Sequence, residues 1–254
     1  MSTASQLKHQ VDFDLLIFRR NPAASFFTVI LPIIFLVIFT SIFGNETLDN
    51  GATVATLYVP GILTLAIVSA TAVNLAMSMT ARRERGILKR VRGTPLPPRI
   101  FILSQALTGI VISTMMTVLI TVIGRIFYGV AFNLSTLPTL IISLALGAGA
   151  FSAIGLALTT IIPSEDAAPA VTNAIMLPLY FVSGVFIPDS QVPGWVSTVG
   201  NIFPVAHLNQ ALQGSFDPFV DGTPWPTDHW LVLALWGGFS AVIAIRYFRW
   251  TPRR

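Results

Sequence analysis

Residues 126–164 of this chain are IFYGVAFNLSTLPTLIISLALGAGAFSAIGLALTTIIPS, a stretch without any Asp, Glu, Lys or Arg. Two further stretches, between Asp49 and Arg82 and between Arg99 and Arg125, also lack charged residues. A helix of about 20 apolar residues crosses the hydrocarbon core of a bilayer, so each stretch is long enough for at least one crossing. Only 10% of the chain is charged, against about 25% in soluble domains. The sequence therefore predicts an all-α polytopic membrane protein.

Hydropathy predicts one transmembrane domain over residues 1–254 with six spans. The spans are residues 24–43, 57–79, 100–124, 137–162, 167–187 and 229–248. Residues 188–228 are predicted to form an extracytoplasmic loop with short helices that lie at the outer face or dip partway into the membrane. The uncharged residues 190–216 would permit a seventh span, but their prolines, glycines and polar side chains disfavour one. A seventh span would also place the C-terminal arginines outside.

The first 23 residues are predicted to form an amphipathic helix on the inner membrane surface. Four apolar residues fall at helical spacing there: Leu7, Val11, Leu15 and Phe18. Charged residues occupy the other faces, as in interfacial helices. A soluble tail with accidental periodicity is the alternative.

The basic residues predict the orientation. With the N-terminus inside, every one of the 15 Lys and Arg residues except Arg125 lies in a cytoplasmic segment. The predicted outer segments carry acidic residues instead, namely Glu46, Asp49, Asp189, Asp217, Asp221 and Asp228. Because Lys and Arg are enriched in cytoplasmic loops, both termini are expected in the cytoplasm.

Residue patterns for catalysis are missing from the sequence. Neither Lys8 nor Lys89 ends a phosphate-binding Gly-x-x-x-x-Gly-Lys-Ser/Thr loop. The chain has no cysteine, its three histidines are dispersed, and it has no Gly-x-Ser-x-Gly motif. We therefore expect no catalytic residue, no metal site and no cofactor bound by this chain. The net charge of +4 is attributed to topology rather than to nucleic-acid binding.

The predicted spans carry aromatic and mildly polar side chains and no clear ionisable group at mid-depth. This pattern disfavours a proton-driven carrier or a charged ion pore and suits lipophilic cargo. The candidate pathway residues are Phe35, Phe39, Asn74, Ser78, Asn173 and Phe181. The alternative for the amides Asn74, Gln105 and Asn173 is hydrogen bonding between helices.

The segment from Ala81 to Arg99 is strongly basic and carries a short apolar stripe, Ile87, Leu88 and Val91. The prolines that follow Thr94 stop a helix sharply. The sequence therefore predicts a short basic helix that protrudes into the cytoplasm and then breaks. Charge alone also fits a topology anchor or a patch for anionic lipids.

Two motifs carry a resemblance to a known family. Residues Arg83–Leu96 resemble the first-loop motif R-E-x-G-(T/I/V)-L-(E/K)-R-(L/V)-R-x-T-P-L of ABC transporter type-2 permeases, especially daunorubicin-resistance-like drug exporters. Residues 177–188, followed by a Pro-x-Trp at 193–195 and a Phe-Pro-x-x-His at 203–207, are similar to the family's fifth span and outer helices. The resemblance covers nearly the whole chain.

The resemblance implies a separate ABC ATPase subunit, which binds ATP and Mg, and a second permease copy. It implies that Arg82–Arg92 form a helix that sits in a groove of the ATPase. Glu84 and the arginines would make charged contacts with the ATPase, and the apolar stripe would pack into the groove. The residues implied in coupling are Arg82, Arg83, Glu84, Arg85, Gly86, Ile87, Leu88, Lys89, Arg90, Val91, Thr94, Pro95, Glu165 and Asp166. The last two lie in a second, smaller contact loop, 163–168. A polar turn in which Ser164 caps the next helix is the alternative for that loop.

The expected function is ATP-driven export of hydrophobic drugs or lipid-like molecules across a bacterial plasma membrane. A type-2 permease for polysaccharide or glycolipid is one alternative. An ATPase-independent channel or carrier is the other.

Overall fold

A computed structural model describes residues 3–42, 53–130, 132–187, 192–216 and 225–252. These ranges are helical and contain no β-strand. In chain order the helices are α1 (Thr3–Arg20), α2 (Pro22–Ile42), α3 (Val54–Glu84), α4 (Ile87–Arg92), α5 (Pro98–Tyr128), α6 (Leu134–Leu158), α7 (Ala167–Val182), α8 (Gly194–Gly200), α9 (Pro204–Phe216) and α10 (Thr227–Tyr247). All the acidic residues of the predicted outer segments except Asp228 lie outside the described residues.

Within the described ranges five helices are long and apolar enough to cross a membrane, namely α2, α3, α5, α6 and α10. They coincide with five of the predicted spans and confirm a polytopic membrane protein. The predicted span 167–187 is represented by α7, which has 16 residues, a length of about 24 Å. It ends at Val182 because Gly184 follows with a left-handed φ of 69°, a conformation that terminates helices.

Helix α3 forms the centre of the bundle. Apart from Leu57, every side chain from Ala55 to Val68 is buried, and α2, α5, α6 and α9 all contact this helix. A Cβ on Gly155 of α6 would stand 2.7 Å from the carbonyl oxygen of Ala72 in α3. Glycine therefore lets the two backbones meet, as small residues do at helix crossings in membranes.

The chain between α7 and α10 enters the bundle more deeply than predicted. Helix α8 is partly exposed, with Trp195 68% accessible, and it fits the predicted short outer helix. Helix α9 instead buries Leu208 and Leu212 completely. Asn209 of α9 donates hydrogen bonds to the carbonyl oxygens of Ser183 and Gly184, at 3.2 and 2.9 Å. With 13 residues, α9 is a core element that is too short to be a seventh span.

Helix α1 forms where the sequence predicts it, but its predicted membrane-facing stripe faces the protein. All four stripe residues are half-buried: Leu7, Val11, Leu15 and Phe18. The last two pack against the core, and α1 contacts α5. A different apolar set, Phe13, Leu16 and Ile17, remains exposed on another face. If α1 lies on a membrane surface, this second face is therefore the one that contacts it.

Candidate functional site

The candidate site lies at one end of the bundle, where α3 ends, α4 forms and α5 begins. We call it the basic end. Helix α3 stops because Gly86 adopts a left-handed φ of 70°, which costs little only for glycine. The short helix α4 then runs to Arg92, and Pro97 and Pro98 start α5. The predicted basic helix is thus present as α4, while Arg82 to Glu84 belong to the last turn of α3.

Arg82 points towards α1 and pairs with Asp14. Its Nη2 donates to a carboxylate oxygen of Asp14 at 2.9 Å, and its guanidinium stands 5.8 Å from the centre of the Phe101 ring. Asp14 is 3% exposed and also accepts hydrogen bonds from the side chains of Ser104 and Gln105. One carboxylate therefore joins α1, α3 and α5.

Arg83 points in another direction, towards the end of α6. It is 2% exposed and donates to the carbonyl oxygens of Thr159 and Ile162, at 2.7 and 2.8 Å. Its Nε donates to Glu84 at 2.8 Å. A cation at the C-terminal end of a helix satisfies carbonyl groups that have no partner within the helix. Arg83 therefore fixes the end of α6 to the end of α3.

Arg85 binds the turn between α6 and α7. Its guanidinium forms a two-pronged ion pair with Glu165, with Nε at 3.0 Å from one carboxylate oxygen. This hydrogen bond, and then the charge of Glu165, raise the pKa of Arg85 above its ordinary value. In the same turn the Ser164 hydroxyl accepts a hydrogen bond from the backbone N–H of Ala167 at 3.2 Å. This is the helix cap expected as the alternative for this loop.

We call Arg82, Arg83 and Arg85 the arginine junction, because they tie the end of α3 to three other parts of the chain. The expected contacts of these residues need correction. Arg83 is buried, and Glu84 bonds to Arg83. Glu165 pairs with Arg85, while Asp166 is exposed. The three arginines of the junction therefore bind partners within this chain.

Helix α4 has a buried side and an exposed side. Leu88 is fully buried and packs with Leu75, Met79 and Phe101, and Val91 packs against the same cluster. The expectation that Leu88 enters a groove on a partner is therefore wrong for this structure. The opposite side is exposed, and we call it the basic face of α4: Ile87, Lys89, Arg90 and Arg92. Thr94 and Pro95 are also exposed, and Thr94 Oγ1 donates to the carbonyl of Val91 at 2.7 Å.

Sequence reasoning missed Asp14, the residue that binds Arg82. A signal was available, because Asp14 falls seven residues after Leu7 and four before Phe18, on the side of the predicted apolar stripe. An acidic residue on a buried helical face requires a partner. Gln105 was considered as a hydrogen-bonding partner between helices, and its contact with Asp14 is of that kind.

Three of the candidate pathway residues come together at the other half of the bundle. The Phe186 ring centre lies 5.4 Å from Phe35, 6.0 Å from Phe39 and 5.1 Å from Phe181. Phe39 also stacks on Tyr58 at 5.3 Å. We call these residues the aromatic cluster; offset and tilted rings at such distances attract one another.

The polar pathway candidates lie elsewhere. Asn74 is 16 residues after Tyr58 on α3, so the two are separated by about 24 Å along the axis. It follows directly on a π-helical turn, Ser69–Val73. Ser78 Oγ lies 3.4 Å from the carbonyl of Leu75. Asn173 is exposed on α7, so the structure does not join these polar groups to the aromatic cluster.

Two histidines that the sequence left far apart meet in the structure. His207 Nε2 lies 2.9 Å from the carbonyl oxygen of Asn201, and its Nδ1 lies 2.9 Å from His229 Nδ1. Since the carbonyl only accepts, Nε2 of His207 donates, and in the neutral ring Nδ1 accepts from His229. Within the described residues no group of three or more His, Cys, Asp or Glu side chains could hold a metal.

A bundle in which five of the described helices are long and apolar enough to cross a membrane defines a polytopic membrane protein. A model of the ABC-2 type transporter family matches residues 5–216. The chain belongs to this family and is a transmembrane permease subunit of an ABC transporter.

Relatives carry names of the same kind. The daunorubicin resistance ABC transporter permease DrrB1 of Streptomyces coeruleorubidus is 25% identical over 91% of this chain and 80% of its own length. The transport permease YvfS of Bacillus subtilis is 23% identical, over 81% of this chain and 82% of its own length. The inner membrane transport permease YadH of Escherichia coli is 21% identical, over 74% and 73%. Multi-pass membrane location and a transport role follow.

Proposed function

We propose that this chain is the membrane subunit of an ATP-driven exporter of hydrophobic drugs or lipid-like molecules in a bacterial plasma membrane. A separate ATPase subunit binds ATP and Mg, and both chain termini face the cytoplasm beside it. The observation that carries the proposal is the basic face of α4, an exposed cationic surface on a helix whose other side is locked into the bundle. The name of the relative DrrB1 supports a drug as cargo.

The packing of α4 supports its role as the coupling element. A force on its basic face acts on Leu88, which is buried against α3 and α5. The arginine junction passes the displacement of α3 to α1, α6 and the turn before α7. Rigid packed elements with hydrogen-bonded ends move together. Closure of two ATPase subunits would thereby shift several spans at once.

The aromatic cluster and the exposed side of α7 are proposed to line the cargo pathway. Phe181 is 52% exposed and Leu177 is 49% exposed on that side. Asn173 is exposed on the same helix, and an amide that faces hydrocarbon without a partner is unfavourable. A second permease copy against α7, with cargo between the copies, would provide polar and apolar partners. This arrangement supports a homodimer.

The proposal is tested by charge reversal on α4 in the full chain, co-expressed with an ABC ATPase subunit that co-purifies with the unmodified chain. Arg90→Glu should reduce co-purification of the ATPase, because it replaces a positive charge by a negative one on the proposed contact surface of α4. Lys8→Glu, at an exposed basic residue of α1, is the matched control and should leave co-purification unchanged. Equal recovery of ATPase with both variants would contradict the coupling role of α4.

A further inference from the structure

A groove of about 610 Å³ lies between the first half of α5, the last half of α6 and the end of α10. Small side chains on the three helices create the space, among them Ala106, Ala153 and Ala241. Gly149 lines the groove, and a Cβ built on it meets no other atom within 4 Å. The volume falls in the range of about 300–1,000 Å³ that is usual for small-molecule pockets.

The groove opens on an exposed apolar surface of the bundle. Its edges include Leu103, which is 50% exposed, and Ile245, which is 82% exposed. Both lie on helices that are long and apolar enough to cross a membrane. Ser152, a polar lining residue, satisfies its hydroxyl by donating to the carbonyl of Ala148 at 2.7 Å. The groove therefore offers hydrocarbon contacts along its length.

The charge at the groove is positive and stands at one end. Among the described residues, Arg99 in the first turn of α5 is the charged residue of the lining, and none of the acidic ones lines it. None of the ion pairs of the described residues involves Arg99. Phe248 and Trp250 lie at the same end, with ring centres 5.3 Å apart. Arginine and tryptophan are the side chains found at the headgroup level of a bilayer.

We propose that this groove binds an anionic phospholipid of the leaflet at the basic end. An acyl chain occupies the apolar groove, and the headgroup phosphate lies against Arg99. The shape of the groove supplies affinity for the acyl chain, and Arg99 supplies a preference for a negatively charged headgroup. The site is separate from the aromatic cluster and does not depend on the cargo or on the ATPase.

The test uses the full chain in neutral detergent micelles, with phosphatidylglycerol or phosphatidylcholine added and lipid retention measured by native mass spectrometry. Gly149→Leu should obstruct the groove, since a Cβ at this position projects into open space, and should lower retention of phosphatidylglycerol about tenfold. Gly238→Leu is the matched control, because a Cβ there also meets nothing within 4 Å and Gly238 does not line the groove. It should retain lipid as the unmodified chain does. Melting curves establish that each variant is folded.

Arg99→Gln tests the headgroup contact separately. It should reduce the preference for phosphatidylglycerol over phosphatidylcholine about fivefold, which is the effect of one cation near an anionic headgroup. Binding of the acyl chain in the groove should persist. Equal retention of the two lipids by the unmodified chain would overturn the proposal in favour of a neutral occupant. Retention by folded Gly149→Leu equal to that of Gly238→Leu would overturn the assignment of the groove.

Discussion

Replacement of Arg83 by Met should strongly destabilise the protein. The substitution removes three hydrogen bonds, to Glu84 and to the carbonyls of Thr159 and Ile162, and leaves a shorter, unbranched apolar side chain in place of the guanidinium. Hydrogen bonds to charged groups contribute about 1.5–3 kcal/mol each, and loss of one partner of a buried ion pair costs about 3–5 kcal/mol. Water can reach Glu84, so we expect a loss of about 3–5 kcal/mol.

The assay is thermal unfolding of the purified full chain in detergent, followed by circular dichroism. A loss of this size lowers the midpoint by roughly 6–20 °C for a domain of this length. Arg90→Met is the matched control; Arg90 is exposed on α4, and a surface change usually alters stability by less than about 0.5 kcal/mol. Arg83→Lys should fall between them, since an ammonium lacks the planar fork that reaches both carbonyls. Equal midpoints for Arg83→Met and Arg90→Met would refute the helix-end role of Arg83.

Three further predictions concern the same end and use the same unfolding assay. Leu88→Ala should cost about 2–5 kcal/mol because it opens a cavity beneath α4, whereas Ile87→Ala, on the exposed side, should change stability little; similar losses would contradict the orientation of α4. Gly86→Ala should cost about 1–2 kcal/mol through its left-handed φ alone, since a Cβ there meets no neighbour; an unchanged midpoint would argue against this turn. A double-mutant cycle of Asp14→Ala and Arg82→Ala should give a coupling of about 1–3 kcal/mol, and strict additivity would contradict the ion pair between α1 and α3.

The crossing helices were predictable because the bilayer imposes a simple condition on sequence. A long apolar run must become a helix that satisfies its own backbone groups, and α2, α3, α5, α6 and α10 meet this condition. The short basic helix was also predictable, since the prolines after Thr94 are local signals that need no tertiary contact. The break at Gly86, which separates Arg82 to Glu84 from this helix, was not predicted.

The direction in which each arginine points was not predictable. Arg82, Arg83 and Arg85 look equivalent in sequence, yet their partners are separated from them by 68, 76 and 80 residues along the chain. Such partners depend on how α1, α6 and α7 pack around α3. The burial of α9 was unpredictable for the same reason. Its polar residues indicated a surface position, but Asn209 forms its hydrogen bonds inside the bundle.

The length of α7 shows a limit of hydropathy. The apolar run continues to Ile187, but the chain turns at Gly184 and brings Phe186 back against Phe35. The aromatic cluster therefore depends on a turn of the chain. The apolar composition of the segment does not predict that turn.

The most direct test of the proposed export function is transport by the full chain reconstituted in liposomes with an ABC ATPase subunit that co-purifies with it, using daunorubicin as the probe. We predict that drug movement requires ATP, and that Arg90→Glu abolishes it while Lys8→Glu does not. Movement of the drug by the chain alone, without ATP or the ATPase, would contradict the account and indicate a channel or carrier.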